Sequence, residues 1–333
     1  MSEVPTVSVI IKTYNEEEGI AKTIHSIRDN LHAYPHEILV ADSLSSDNTQ
    51  KIALGLRAVV VSLVHGEERC CGVGHQLGYL HAQGEFLLLL DGDMQLAPGF
   101  IEKGIEFLHT HQDYAGVAGM VEMDDAVSYE FKSRKQRLHQ IYPLGDCHHL
   151  AGGGLYRKSA IDHIGYLTNR NLHAYEEAEL GMRLHQAGFK LRRLDVPYFH
   201  HTSYVMSTFA LLRHRWRSRY LCASGELLRT SWGKPHFAQA VSTVKNELIF
   251  ALYLLGVAFA LLFLPWSWFG LALLPLAAFF TLKVVKNRSL RDAAQSVINL
   301  SVFSAGLIRG LGTALKDPAT APENRVIRGG EEG

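Results

Sequence analysis

Glu85-Phe-Leu-Leu-Leu-Leu-Asp91-Gly-Asp93 decides how the 333-residue chain is read. The apolar run Phe86 to Leu90 fits a strand buried on both faces, the state of a central parallel strand. It stops at two aspartates separated by one glycine. Side chains alternate along a strand, so Asp91 and Asp93 share a side if the strand continues. In an open α/β sheet, ligands sit beyond the carboxyl ends of the strands. Two acids close together at that edge repel and raise each other's pKa unless something offsets them. A divalent cation shared with a phosphate would do so. Ordinary turn chemistry would place Asp and Gly there without any ligand.

Upstream, two more strands end in polar residues. Val7–Ile11 runs into Lys12-Thr13-Tyr14-Asn15-Glu16-Glu17, ahead of a helix from about Ile20 to Asn30 with Ile20, Ile24, Ile27 and Leu31 on one face. Glu37–Ala41 ends at Asp42, followed by Ser45, Ser46, Asp47 and Thr49. Asn15 as a helix cap, and Asp47 or Ser46 as the next cap, would need no ligand. Asp42, directly at a strand tip, is less easily explained that way. Ala58–Leu63 is a third strand, and Cys71–Gln83 a helix stopped by Gly84. Strands alternating with helices predict an α/β fold with a mostly parallel sheet. Tyr14/Asn15, Asp42 and Asp91/Asp93 then converge on one sheet edge. No G-x-G-x-x-G follows the first strand, which argues against a dinucleotide fold.

Downstream, a helix from Ala97–Phe100 to about His109 and a strand over Gly116–Val121 are expected, with 124–147 an acceptor loop or plain surface. Gly152-Gly153-Gly154 permits a tight bend or close approach to a ligand. Tyr175–Gly188 reads as a helix with Glu176, Glu177 and Glu179 in its first turn, where the helix dipole also favours acids. A strand over Lys190–Asp195 leads to His200 and His201. These histidines can be ligands or a solvated surface pair.

Charge is balanced, 33 basic against 33 acidic residues, so no nucleic-acid partner is expected. Cys70, Cys71, Cys147 and Cys222 show no metal-ligand spacing and read as reduced thiols. Met1–Thr6 lacks the basic and apolar regions of a signal peptide. Leu248 to Leu282 is a run of 35 residues without a charge, too long for one span of about 20 residues and suited to two. Pro265-Trp-Ser-Trp268 supplies the turn. Lys245 on one flank and Lys283, Lys286, Arg288 and Arg291 on the other put both outer ends in the cytosol. The expected location is the inner (cytoplasmic) membrane, with the amino-terminal domain facing the cytosol. Residues 293–315 are apolar but contain Arg309, and fit a third span, a re-entrant helix or an interfacial helix. Before the hairpin, Arg213, Arg215, Arg217 and Arg219 alternate with Trp216 and Tyr220, suiting anionic head groups or a diphosphate. The expected organisation is an amino-terminal α/β domain 1–205, an interfacial segment 206–245, membrane helices 246–316 with a hairpin at 248–285 and a third apolar helix 293–315, and a disordered tail 317–333.

The run Val7–Glu17, the segment Asp42-Ser-Leu-Ser-Ser-Asp47-Asn-Thr49 and Asp91-Gly-Asp93, in that order, resemble the family 2 glycosyltransferases, which have the GT-A fold. The resemblance covers roughly residues 6–205. It implies that Thr13, Tyr14, Asn15, Glu16 and Asp42 bind the nucleoside of a nucleotide-diphosphate sugar. Asp91 lies near the ribose or phosphates, and Asp93 holds Mg2+ or Mn2+ against the diphosphate. Gly153 flanks the donor sugar. Glu176-Glu177-Ala-Glu179-Leu180 matches acid-acid-x-acid-leucine, whose second acid is the catalytic base: Glu177, with Glu176 as the alternative. His201 or His200 supplies a further metal ligand, and His201 is taken first. Arg215-Trp216 matches part of the Q-x-x-R-W of processive members and implies donor contact. Leu212 replaces the glutamine, which points to a non-processive enzyme. Lys12 stands where proline is common and Gln76 where asparagine is, and Asp42 lacks a second adjacent acid. The membrane hairpin adds the expectation of a membrane-bound, lipid-linked acceptor in envelope or exopolysaccharide glycan synthesis. Transfer to polyprenyl phosphate, and a non-catalytic membrane scaffold, are the alternatives.

Overall fold

A computed structural model describes residues 5–123, 138–201 and 208–329. The chain divides into two units, Met1–Thr208 with Lys316–Gly333, and Phe209–Leu315.

In the first unit the apolar runs become parallel strands β1 (Val7–Thr13), β2 (His36–Asp42), β3 (Val59–Leu63) and β4 (Phe86–Asp91), ordered β3-β2-β1-β4. The register sets Thr13 beside Asp42 and Lys12 beside Asp91. The connecting helices are α1 (Ile20–Leu31), α2 (Thr49–Gly55) and α3 (Cys71–Tyr79). Ile20, Ile24, Ile27 and Leu31 of α1 are all buried, each contributing roughly 1.5–3 kcal/mol. The third helix stops before the expected Gln83. The Gln83 amide donates to Glu37 Oε1 and the Gly84 amide to Ser8 Oγ, so the chain ties itself to β1 and β2 instead of extending the helix.

The other half contains β5 (Met94–Leu96), α4 (Phe100–Thr110), β6 (Tyr114–Met123), α5 (Leu138–Ile141), β7 (Gly145–Asp146), β8 (Gly154–Arg157), α6 (Lys158–His163), α7 (Glu176–Gln186) and β9 (Lys190–His201). Strand β8 runs antiparallel to β4 and carries the sheet across to β6 and β9. Strand β9 runs six residues beyond the expected Asp195 and pairs with β5, Met94 beside His201. Most of the expected acceptor loop, 124–137, lies outside the described residues.

The carboxyl-terminal tail is a correction. Asn324–Ile327 forms β10, antiparallel to β3. Without it, β3 would expose a row of unpaired backbone groups at the sheet edge. Asn171 Oδ1 accepts from the Lys316 amide, and Arg170 donates to the Thr320 carbonyl, so the tail belongs to the first unit.

The second unit is helical: α8 (Thr208–Arg217), α9 (Ala223–Ser231), α10 (Phe237–Thr243), α11 (Lys245–Phe263), α12 (Trp266–Asn287) and α13 (Leu290–Leu311). Among the described residues, α11 and α12 are long and apolar enough to cross a membrane. Their 19 and 22 residues extend about 28 and 33 Å, against a hydrocarbon core of about 30 Å. Leu252, Leu255, Phe259, Leu262, Leu274 and Leu282 are exposed, so neither helix is covered by the rest of its unit. The turn falls at Leu264-Pro265, and Trp266, 78% exposed, already starts α12. Helix α13, for which the sequence leaves a third span, a re-entrant helix and an interfacial helix all open, is not among the described helices that are long and apolar enough to cross a membrane. Helix α13 is two-faced: it buries Ala293, Ser304, Leu307 and Gly310, and a Cβ at Gly306 or Gly310 would strike the Leu221 or Cys222 carbonyl.

Candidate active site

The first two strand tips are stitched into one polar loop. Asn15 takes a left-handed backbone, φ 56°, and its Oδ1 accepts from the Ser46 amide at 2.8 Å. It therefore does not cap α1, whose N-cap is Gly19. The Asn15 amide donates to Ser45 Oγ and the Glu16 amide to Thr49 Oγ1. Asp42 is fully buried and accepts from Thr13 Oγ1, Ser45 N, Ser45 Oγ and Gln50 Nε2. Its carboxylate is spent on fixing the loop. Asp47, not Ser46, holds the start of α2, accepting from the Thr49 amide at 3.0 Å. Tyr14 is 43% exposed, and the Arg69 guanidinium lies 3.9 Å over its ring. Arg69 also donates to the Ser43 and Leu44 carbonyls, so it braces the same loop.

At the tip of β4 the two aspartates part company, because the strand ends at Asp91. Asp91 Oδ1 lies 3.2 Å from Lys12 Nζ. Burial works to raise the Asp91 pKa, but the Lys12 ammonium, together with His75 and His201, outweighs it and holds the carboxyl below its ordinary value. His75 Nε2 is 3.8 Å from Asp91 and donates to the Leu90 carbonyl. Burial, then Lys12, pushes the His75 pKa down to about 4, so near neutral pH it is an uncharged neighbour and not a second cation. Asp93 faces the other way, its Oδ2 3.2 Å from His201 Nε2. Pairing of β5 with β9 creates that contact, and strand alternation turns His200 to the opposite face.

The third group is the start of α7. Glu177 accepts from the Gly152 amide at 2.9 Å and the Gly153 amide at 2.5 Å. Gly152, Gly153 and Gly154 have φ of 84°, 88° and 147°, and a Cβ at Gly153 would strike the Leu89 carbonyl. Only glycine gives this backbone freely. Burial, then the adjacent Glu176, pushes the Glu177 pKa up to about 7, against the two amides and Lys12. Glu176 faces Lys12, Oε1 to Nζ 3.6 Å. Glu179 is fully buried, accepting from Arg183 Nε at 2.8 Å and the Tyr166 hydroxyl at 2.7 Å. Arg183 in turn donates to the Tyr166 and Leu167 carbonyls, which makes Glu179 a structural acid.

Of the sequence-derived residues, Thr13, Asn15, Glu16 and Asp42 share one loop network, Asp93 and His201 form a pair, and Gly153 is tied to Glu177. Arg215 and Trp216 lie on α8 of the helical unit, where Arg215 stacks on Tyr220 and Arg309 lies 5.3 Å over the Trp216 ring. Sequence reasoning gave no role to Lys12, Arg69 or Gln76. Gln76 Oε1 accepts from the Leu167 and Thr168 amides and anchors the chain ahead of α7. Lys12 had a signal in its mismatch to the family pattern at a strand tip surrounded by acids; Arg69 had none.

The donors at Asp93 fit a divalent ion. One carboxylate and one imidazole are hard-to-borderline ligands that suit Mn2+, and Mg2+ less well. No group of three such ligands exists among the described residues, so the remaining coordination positions would fall to substrate oxygens and water.

Comparison with known proteins agrees with this architecture. The model of the family described as glycosyl transferase family 2 matches residues 8–165. EpsE of Bacillus subtilis, named a glycosyltransferase, is 30% identical over 207 residues, 57% of this chain and 70% of its own. The GalNAc(5)-diNAcBac-PP-undecaprenol beta-1,3-glucosyltransferase of Campylobacter jejuni is 29% identical over 136 residues, covering 39% of this chain and less than half, 43%, of that enzyme. Among solved structures, the mannosyltransferase PcManGT from Pyrobaculum calidifontis, in complex with GDP-Man and Mn2+, superposes with a TM-score of 0.59 over 93% of this chain and 88% of its own, at 17% identity. That likeness is one of fold. Strand-tip geometry, family match and relatives together make this chain a glycosyltransferase, a member of glycosyl transferase family 2 with the GT-A fold.

Proposed function

We propose that the protein is an inverting, metal-dependent, non-processive glycosyltransferase. It moves one sugar from a nucleotide-diphosphate sugar to a hydroxyl of a lipid-linked acceptor at the membrane, in envelope or exopolysaccharide glycan synthesis. The observation that carries this reading is Glu177, a carboxylate held by two backbone amides with its pKa brought to about 7. A general base works best with a pKa near the operating pH.

Glu177 takes the proton of the acceptor hydroxyl. The oxygen then forms a bond to the anomeric carbon as the bond to the diphosphate breaks, and the diphosphate leaves with the electron pair. Asp93 and His201 would hold the metal ion, which neutralises charge on the diphosphate when bound. Exposed Tyr14, with Arg69 and Asn15, is the assigned nucleoside surface, and buried Asp42 shapes it from beneath. Asp91, held by Lys12, orients donor hydroxyls. Arg215 and Trp216, stacked within their own unit, are assigned to membrane head groups ahead of the donor.

The membrane part rests on the exposed hairpin and its basic flanks, which favour the inner membrane with the catalytic unit on the cytosolic side. The Campylobacter relative, whose name specifies an undecaprenol-linked acceptor, adds weight to a lipid-linked substrate. A base is most useful toward a hydroxyl, because a polyprenyl phosphate is already ionised near neutral pH. The test is a screen of nucleotide sugars for released nucleoside diphosphate, with a membrane lipid extract as acceptor, with and without chelator. One donor should be turned over, with extract and metal both required and one sugar added per acceptor. Turnover that chelator leaves intact, or a ladder of long products, would overturn the corresponding part.

A further inference from the structure

Lys12 sits where the donor side meets the base-bearing helix. It lies beside Asp91 in the parallel pairing of β1 with β4. Its Nζ is 3.2 Å from Asp91 Oδ1 and 3.6 Å from Glu176 Oε1, at the first turn of α7. The stem crosses Gly74 of α3, where a Cβ would collide with Lys12 Cγ and Cδ. The glycine makes room for a long side chain to reach both acids. Burial works to lower the Lys12 pKa, but Asp91, then Glu176, outweigh it, so the amine stays charged.

The groups acting on Glu177 come from several elements. Glu176 is its neighbour on α7, and Lys12 approaches from β1. Tyr156 of β8 and Tyr198 of β9 are kept neutral, first by burial and then by Glu177 itself. Arg193 of β9 is a second cation near Glu177, but it donates to the Gly119 and Ala151 carbonyls. Asp91 of β4 is held by Lys12. The Gly152 and Gly153 amides complete the set. Lys12 is therefore the cation that directly compensates Glu176.

We propose that Lys12 is a positioning residue for transfer: one ammonium clamps Asp91 to Glu176, and so keeps the adjacent Glu177 ionised and aimed. It touches no reacting atom. The inference rests on Glu177 being the base. Without Lys12, Glu176 is left as an uncompensated acid beside Glu177, and like charges are relieved by proton uptake. The proton then occupies the group that must accept one from the acceptor.

The test uses the full chain in membranes, with released nucleoside diphosphate read from pH 5.5 to 9.5. Lys12→Met keeps the stem over Gly74 and removes the charge. It should move the acidic limb of kcat upward by about one pH unit and lower kcat at pH 7 about fivefold, with recovery at high pH. Donor KM should change less than kcat. Lys12→Arg keeps the charge and should leave the limb near its wild-type position. The double variant Lys12→Met with Glu176→Gln removes the orphaned acid together with its partner. It should bring the limb back, and it guards against a folding defect in the single variant. An unmoved limb in Lys12→Met, or Lys12→Arg as impaired as Lys12→Met, would overturn the inference. Glu177→Gln, run in parallel, separates the two claims: full activity there would remove the base assignment, whereas an inactive Glu177→Gln beside an unshifted Lys12→Met would remove only the role of Lys12.

Discussion

The tip of β4 and the first turn of α7 both crowd acids at the end of an element, and they relieve the crowding differently. Asp91-Gly92-Asp93 splits its acids between distant partners, Lys12 for one and His201 for the other. Glu176-Glu177-Ala178-Glu179 keeps its acids together and grades them. Glu179 is buried against Arg183 and Tyr166, Glu176 faces an ammonium, and Glu177 is held by neutral amides. A fully paired acid is held in place by its partners and braces the fold. An acid held by dipoles beside a like charge has a pKa near neutrality and can exchange its proton. Acids of the same type, one or two residues apart, thus have opposite uses.

The sharpest way to break this contrast is Glu177→Gln. It should lower kcat by about 10²- to 10⁴-fold, the usual value of a positioned base, while donor KM stays near wild type in steady-state assays. A rise in KM alone would make Glu177 a binding residue. Glu179→Ala should instead cost about 3–5 kcal/mol of stability in denaturant unfolding, because it strands the buried Arg183 charge. An unchanged unfolding midpoint would end the division between structural and chemical acids. At the other segment, His201→Ala should weaken divalent-metal affinity about tenfold in titration calorimetry with a nucleoside diphosphate present, and His200→Ala should not. Equal losses would show that the β5–β9 register does not select the ligand. The smallest effect is the pH dependence of the unmodified enzyme. As the proposed base, Glu177 has to be ionised and its pKa is raised to about 7, so kcat should be lost as pH falls through that value and should rise about twofold from pH 7 to pH 8. A profile flat down to pH 5 would mean the base has an ordinary carboxylate pKa.

What the sequence conveys well is local. Strand runs ending in acids, the buried face of α1 and the uncharged hairpin are periodic patterns that short-range physics dictates, and they yield the parallel sheet edge and Asp93. What it conveys poorly is pairing at a distance. His201 is chosen over His200 only by the register of β5 on β9. Glu177 meets the glycine triplet across more than twenty residues, and Arg69 finds Tyr14 from a separate loop. The tail looks like a solvated end because Asn324–Ile327 is too short to show a strand pattern, and the β3 edge that orders it is formed elsewhere. Lys12 stands out in sequence only as a mismatch, and its acids become visible once β4 and α7 are assembled around it.

The central claim, a metal–diphosphate site at Asp93 serving sugar transfer, is tested most directly by Asp93→Ala in membranes, with donor turnover and transfer to lipid acceptor measured on one sample. The structure predicts that both fall to background while the protein remains folded and membrane-bound. Full transfer and full donor turnover by that variant would contradict it.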